Sequence, residues 1–109
     1  MPHIIVEHTR DIENVSQLLR DLHNSLGHQE TVQIESLKTR SICLDNVVIG
    51  NGNFISMIHV TLRLLPGRGE TLLCKMTADL EKIVHQYCDT KSTCVTVEAV
   101  ELHQSSYRN

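Results

Sequence analysis

The hydrophobic pattern of this 109-residue chain states one supersecondary unit twice, and that repeat limits the folds open to it. Residues 3–7 form a short run rich in β-branched side chains, which predicts a strand. Asp11 is placed to cap a helix in which Ile12, Val15, Leu18, Leu19, Leu22 and Leu26 recur at helical spacing, with Gly27 as its left-handed stop. Residues 37–44 contain no breaker and read as a second strand. Asn51-Gly52-Asn53 is the clearest turn in the chain.

The same order then returns. Over residues 55–65 the side chains of Ile58, Val60, Leu62 and Leu64 point one way and those of His59, Thr61 and Arg63 the other. Pro66-Gly67-Arg68-Gly69 breaks that strand. A helix follows with Leu72, Leu73, Met76, Leu80, Ile83, Val84 and Tyr87 along one face, and residues 95–100 close the unit as a strand. Strand, helix, strand, twice over, predicts one α/β (α+β) domain across residues 1–109. Its tandem βαβ halves cover about 2–48 and 54–103, and form a four-stranded sheet with two helices on one face. Ile4, Val6, Ile58, Val60, Leu62, Leu64, Val95 and Val97 supply the face beneath the helices. The opposite parity offers His3, Ile5, Glu7, His59, Thr61, Arg63, Thr96 and Glu98, a mixed surface suited to partial cover by another copy of the chain. The polar tail after His103 is expected to fray.

Composition excludes several functions. Ten Lys and Arg against thirteen Asp and Glu give a net charge of −3, with only Phe54, Tyr87 and Tyr107 as aromatics. That is a poor basis for binding nucleic acid, which favours a basic face and stacking rings. No stretch approaches the roughly 20 apolar residues of a membrane span, and the start lacks the basic, then apolar, pattern of a secretory signal. A cytoplasmic protein is therefore expected. Cys43, Cys74, Cys88 and Cys94 show no Cys-x-x-Cys spacing and read as free, partly buried thiols. No two of the seven histidines stand four apart as in a helical metal site, so no metal is expected.

Pro2 carries the most chemistry. Removal of the initiator methionine ahead of a small residue leaves a secondary amine whose direction the proline ring fixes. Burial or a nearby cation lowers an amine's pKa from the usual α-amino value of about 7.7–8.0, toward that of a competent general base at neutral pH. Arg40, in Leu37-Lys38-Thr39-Arg40, and Arg68, just before the second helix, are candidates for a carboxylate site, because a guanidinium grips a carboxylate with two parallel hydrogen bonds. Their equivalent places in the two halves suggest a shared anion site.

Four segments together resemble the 5-carboxymethyl-2-hydroxymuconate isomerase family of the tautomerase superfamily. They are Met1-Pro2-His3-Ile4-Ile5-Val6-Glu7, Leu37-Lys38-Thr39-Arg40, Ile58-His59-Val60-Thr61-Leu62-Arg63-Leu64-Leu65-Pro66-Gly67-Arg68 and Val97-Glu98-Ala99-Val100-Glu101-Leu102-His103, in order across residues 2–103. The resemblance implies two βαβ units per subunit and a homotrimer whose sheets surround a central space. It also implies Pro2 as catalytic base, Arg40 and Arg68 as ligands of a small carboxylated substrate, and no metal or organic cofactor. The implied reaction moves a proton from the 2-hydroxyl oxygen of a muconate-type enol to carbon, in homoprotocatechuate catabolism. The alternatives are the same machinery acting on another enol acid, or a non-catalytic trimeric ligand-binding protein of the same fold.

Overall fold

In the computed structural model, which describes residues 2–109, strand β1 (His3–Thr9) lies inside the sheet. It is flanked by β2 (Lys38–Leu44), parallel to it, and β3 (Ser56–Leu64), antiparallel; β4 (Thr93–Glu101) runs parallel to β3 on the far side, giving the order β2-β1-β3-β4. The first βαβ unit is closed by helix α1 (Val15–Gly27) and the second by helix α2 (Glu70–His85). The two units meet where β1 and β3 pair.

Register turns the period-two pattern into a two-sided sheet. Ile4 pairs with Leu62 and Val6 with Val60, so one parity of both inner strands is fully buried. Leu18, Leu22 and Leu26 of α1 and Met76, Leu80 and Val84 of α2 join these residues in one core. Spacings of four within each helix set those side chains on a single stripe. The Tyr87 hydroxyl donates to Asp21, tying the chain beyond α2 to α1. The second parity, with His3, Ile5, Glu7, His59 and Thr61, faces away from the core. So do Lys38, Arg40 and Ile42 of β2, since Arg40 pairs with Ile5 and Ile42 with Glu7.

Four local expectations are corrected. Helix α1 starts at Val15, after Asn14 in the left-handed conformation (φ 58°), and Asp11 does not cap it. Asp11 instead accepts a hydrogen bond from the Ser56 hydroxyl, and bonds from Ser56 and Thr9 hold its carboxyl below the usual range. The cause is that β1 runs on to Thr9, whose hydroxyl oxygen accepts from the Met57 N–H at 3.1 Å, leaving Asp11 beside the start of β3. Gly27 is not a left-handed stop: it is the last residue of α1, and a Cβ there would lie 2.7 Å from Ile34 Cδ1, so glycine makes room for the returning chain. The tail after His103 is folded. Leu102 N–H donates to Leu64 carbonyl at 2.8 Å, and Tyr107 N–H donates to His103 carbonyl at 3.1 Å, returning Tyr107 onto the sheet. Two of the four free thiols, Cys43 and Cys74, are exposed rather than partly buried.

Leu80→Ala should cost roughly 2–5 kcal/mol in urea unfolding, because Leu80 is 1% exposed and its loss leaves a cavity. The neighbouring exposed Glu81→Ala should stay within about 0.5 kcal/mol.

Candidate active site

Pro2 sits immediately ahead of β1. Its carbonyl accepts the Lys38 N–H at 3.1 Å, the first rung between the chain start and β2, and its ring is buried. Parity places it on the helix side of the sheet with Ile4. There it lines a pocket of about 170 Å³ with Thr31, Gln33, Ser36, Leu65 and Arg68.

Arg68 reaches that pocket through the break after β3. Gly67 (φ 116°) and Gly69 (φ 86°) adopt conformations that side-chain-bearing residues rarely accept, so the chain reverses around Arg68 before entering α2. The guanidinium is then tied down: Nε donates to Thr31 Oγ1 at 3.0 Å, Nη2 to the Thr31 carbonyl at 2.8 Å, and Nη1 to the Leu65 carbonyl at 3.1 Å. A guanidinium has five N–H donors, so one on each Nη is left for an anion. The half-buried arginine is thus a fixed cation beside Pro2, held by neutral oxygens that do not cancel its charge.

Arg40 lies elsewhere in the chain. It projects from edge strand β2 on the face away from the helices, and its Nη1 lies 3.1 Å from His3 Nδ1. A single chain therefore brings together Pro2 and Arg68, while Arg40 occupies the opposite side of the sheet. The sequence motifs do not single out Thr31, Gln33 or Ser36, all in the connection between α1 and β2. Only their folded position, under the end of Arg68, reveals them.

A larger groove of about 370 Å³ runs between α2 and β4, but its charged lining is Glu70, Glu98 and Glu101. Carboxylates without a cation repel an anion, so this groove lacks the fixed positive charge found at the Pro2 pocket. Among the described residues, no three His, Cys, Asp or Glu side chains converge as a metal site, and no helix is long and apolar enough to cross a membrane.

Comparison with solved structures defines the fold. A 5-carboxymethyl-2-hydroxymuconate isomerase from Deinococcus radiodurans R1 superposes with a TM-score of 0.88 at 15% identity, over 99% of this chain and 87% of that one. A 5-carboxymethyl-2-hydroxymuconate delta-isomerase gives 0.84 at 12% identity, covering 100% and 87%. A fused 4-OT described as a wild type symmetric trimer gives 0.69 at 16% identity, covering 91% and 85%. No curated protein matches the chain in sequence. The fold is that of the tautomerase superfamily. Within it, the 5-carboxymethyl-2-hydroxymuconate isomerase family model matches residues 2–108, and the chain belongs to that family. Membership supports an isomerase of the tautomerase kind.

Replacing Arg68 with Ala removes the three donors that hold Thr31 and Leu65. Amide exchange in residues 31–36 should accelerate in that variant, while β1 and β3 keep their protection.

Proposed function

We propose that this protein isomerises an unsaturated 2-hydroxy-carboxylate, with 5-carboxymethyl-2-hydroxymuconate as the substrate its family points to, and that Pro2 is the base. The observation that carries this reading is the placement of Pro2 and Arg68 on one small pocket. At about 170 Å³ it is smaller than the roughly 300–1,000 Å³ typical of drug-sized ligands, which suits a compact acid.

The chemistry follows from those two groups. Loss of Met1 frees the Pro2 nitrogen as a secondary amine. Burial and the Arg68 cation both disfavour its protonated form, so the neutral base is populated near neutral pH. The amine takes the proton from the 2-hydroxyl oxygen, the electron pair moves through the conjugated system, and the resulting ammonium returns the proton to carbon. The product is the 2-oxo tautomer. No redox step and no external proton acceptor enters, so the protein's own amine suffices and no cofactor is invoked. Negative charge delocalised over the dienolate in transit is stabilised by the pre-positioned guanidinium, which pays no reorganisation cost at that moment.

Arg40 completes the reading through assembly. Edge strand β2 carries it to the border of the subunit on the mixed sheet face. A homotrimer in which those faces surround a central space covers His3, Ile5 and His59, and brings Arg40 within reach of a carboxylated substrate at a neighbouring pocket. Homoprotocatechuate catabolism in the cytoplasm is the setting this substrate implies.

The test is chemical. Protein whose intact mass shows that Met1 is gone should isomerise the enol, and a folded variant with residues retained ahead of Pro2 should be inactive, because an amide nitrogen has no basic lone pair. Arg68→Ala should lower kcat/KM roughly 10- to 150-fold, the worth of a charge-assisted contact, and Arg68→Lys should recover only part of it. Full activity in the extended variant would sink the mechanism. Inactivity of both proteins on every enol acid offered would favour a ligand-binding protein.

A further inference from the structure

His3 holds a position that the core does not require. It lies on the face away from the helices, yet two distant segments converge on its ring. Arg40 Nη1 from β2 lies 3.1 Å from Nδ1, and the Tyr107 hydroxyl from the carboxy-terminal tail lies 2.8 Å from Nε2. The Tyr107 ring also stands edge-on to the imidazole, with centroids 5.9 Å apart and planes at 78°. A guanidinium only donates, so Nδ1 must accept and carry no proton. The neutral imidazole then has its proton on Nε2, which donates to the Tyr107 oxygen.

We propose that His3 is a positioning residue for Arg40, braced on its far side by Tyr107, so that the tail of the chain helps set the direction of the substrate-binding arginine. The proposal rests on the reading of Arg40 as a substrate ligand given above. One of the five guanidinium N–H groups is spent on His3, and the rest stay available for a carboxylate. On an exposed edge strand an arginine side chain otherwise samples many rotamers, and each substrate molecule would have to order it. A bond to a ring that is itself braced from the far side removes part of that cost before binding.

The arrangement is also proton-sensitive. Protonation of His3 puts a hydrogen on Nδ1, removes the acceptor and sets a cation against Arg40. Among the described residues, the groups that act on the ring are Lys38 and Arg40 from β2, Arg63 from β3 and Tyr107 from the tail, none of them a carboxylate. Burial first, and then these cations, hold the His3 pKa below its ordinary value of 6.5. Around neutral pH the ring is therefore neutral and Arg40 is held; as pH falls through the lowered His3 pKa the contact breaks.

Imidazole NMR on the processed enzyme tests the coupling without any assay. His3 should show the Nε2–H tautomer and a pKa below 6.5; in Arg40→Ala that pKa should rise and the tautomer should become mixed. Steady-state kinetics test the role. His3→Leu and Tyr107→Phe should each raise KM roughly 3- to 10-fold with kcat nearly unchanged. His3→Asn, which keeps an acceptor in place of Nδ1 but does not titrate, should abolish the rise in KM that the parent shows on acidification. A His3 titration indifferent to Arg40→Ala would overturn the proposal whatever the kinetics. A raised KM in Arg40→Ala beside unchanged values in His3→Leu and Tyr107→Phe would overturn the positioning role alone. An unchanged KM in Arg40→Ala would remove Arg40 from the proposed function, and the positioning role with it.

Discussion

The hydrogen bond from Lys38 N–H to the Pro2 carbonyl is the contact on which the site depends. Chain termini usually fray, because a terminal residue has neighbours on one side only. Here the first strand lies in the interior of the sheet, paired on both edges, and its core-facing residues Ile4 and Val6 have no exposure. A residue immediately ahead of such a strand has little freedom left. Pro2 surrenders the rest, since its ring fixes the remaining backbone rotation. The consequence is a nitrogen at a set place in the fold, achieved with no side-chain functional group.

The sheet's two sides then divide the labour. Packing claims one side, where both helices bury leucine stripes against the inner strands. Within that side, the only way to place charge near Pro2 without burying an unpaired ion is to satisfy it locally, and Thr31 and Leu65 do so for Arg68 through neutral oxygens. The other side keeps polar groups that pair with one another. His59 bridges Thr96 Oγ1 and Glu98 Oε2, each at 2.6 Å, and His3 bridges Arg40 and Tyr107. A face organised this way is ordered before any partner covers it, which suits the trimeric arrangement proposed for the assembled protein.

Much of this was legible in the sequence, for a definable reason. Strand parity and helical stripes are local properties: Ile58 through Leu64 alternate, Met76, Leu80 and Val84 recur every four residues, and each pattern has one way to bury itself. What escaped depends on distant partners. Asp11 looks like a helix cap until Ser56, 45 residues away, claims its carboxylate. Thr31 has no motif because its role is to hold an arginine 37 residues further on, and Tyr107 reads as part of a frayed tail because its partner, His3, is 104 residues back. The two arginines show both sides of the matter. Their equivalent places in the repeat suggested a shared site, whereas the pairing of Arg40 with Ile5, invisible in the poorly alternating residues 37–44, puts Arg40 on the side away from the core.

Whether the Pro2 nitrogen is a base tuned by Arg68 can be read from its own titration. Nitrogen-15 NMR of proline-labelled protein lacking Met1 measures this directly, by following the Pro2 nitrogen through pH. A titration midpoint below the ordinary α-amino range of about 7.7–8.0 is predicted, coincident with the midpoint of the kcat/KM profile and raised in Arg68→Ala. A midpoint within or above that range, unmoved by Arg68→Ala, would show that Pro2 is not a base tuned by Arg68.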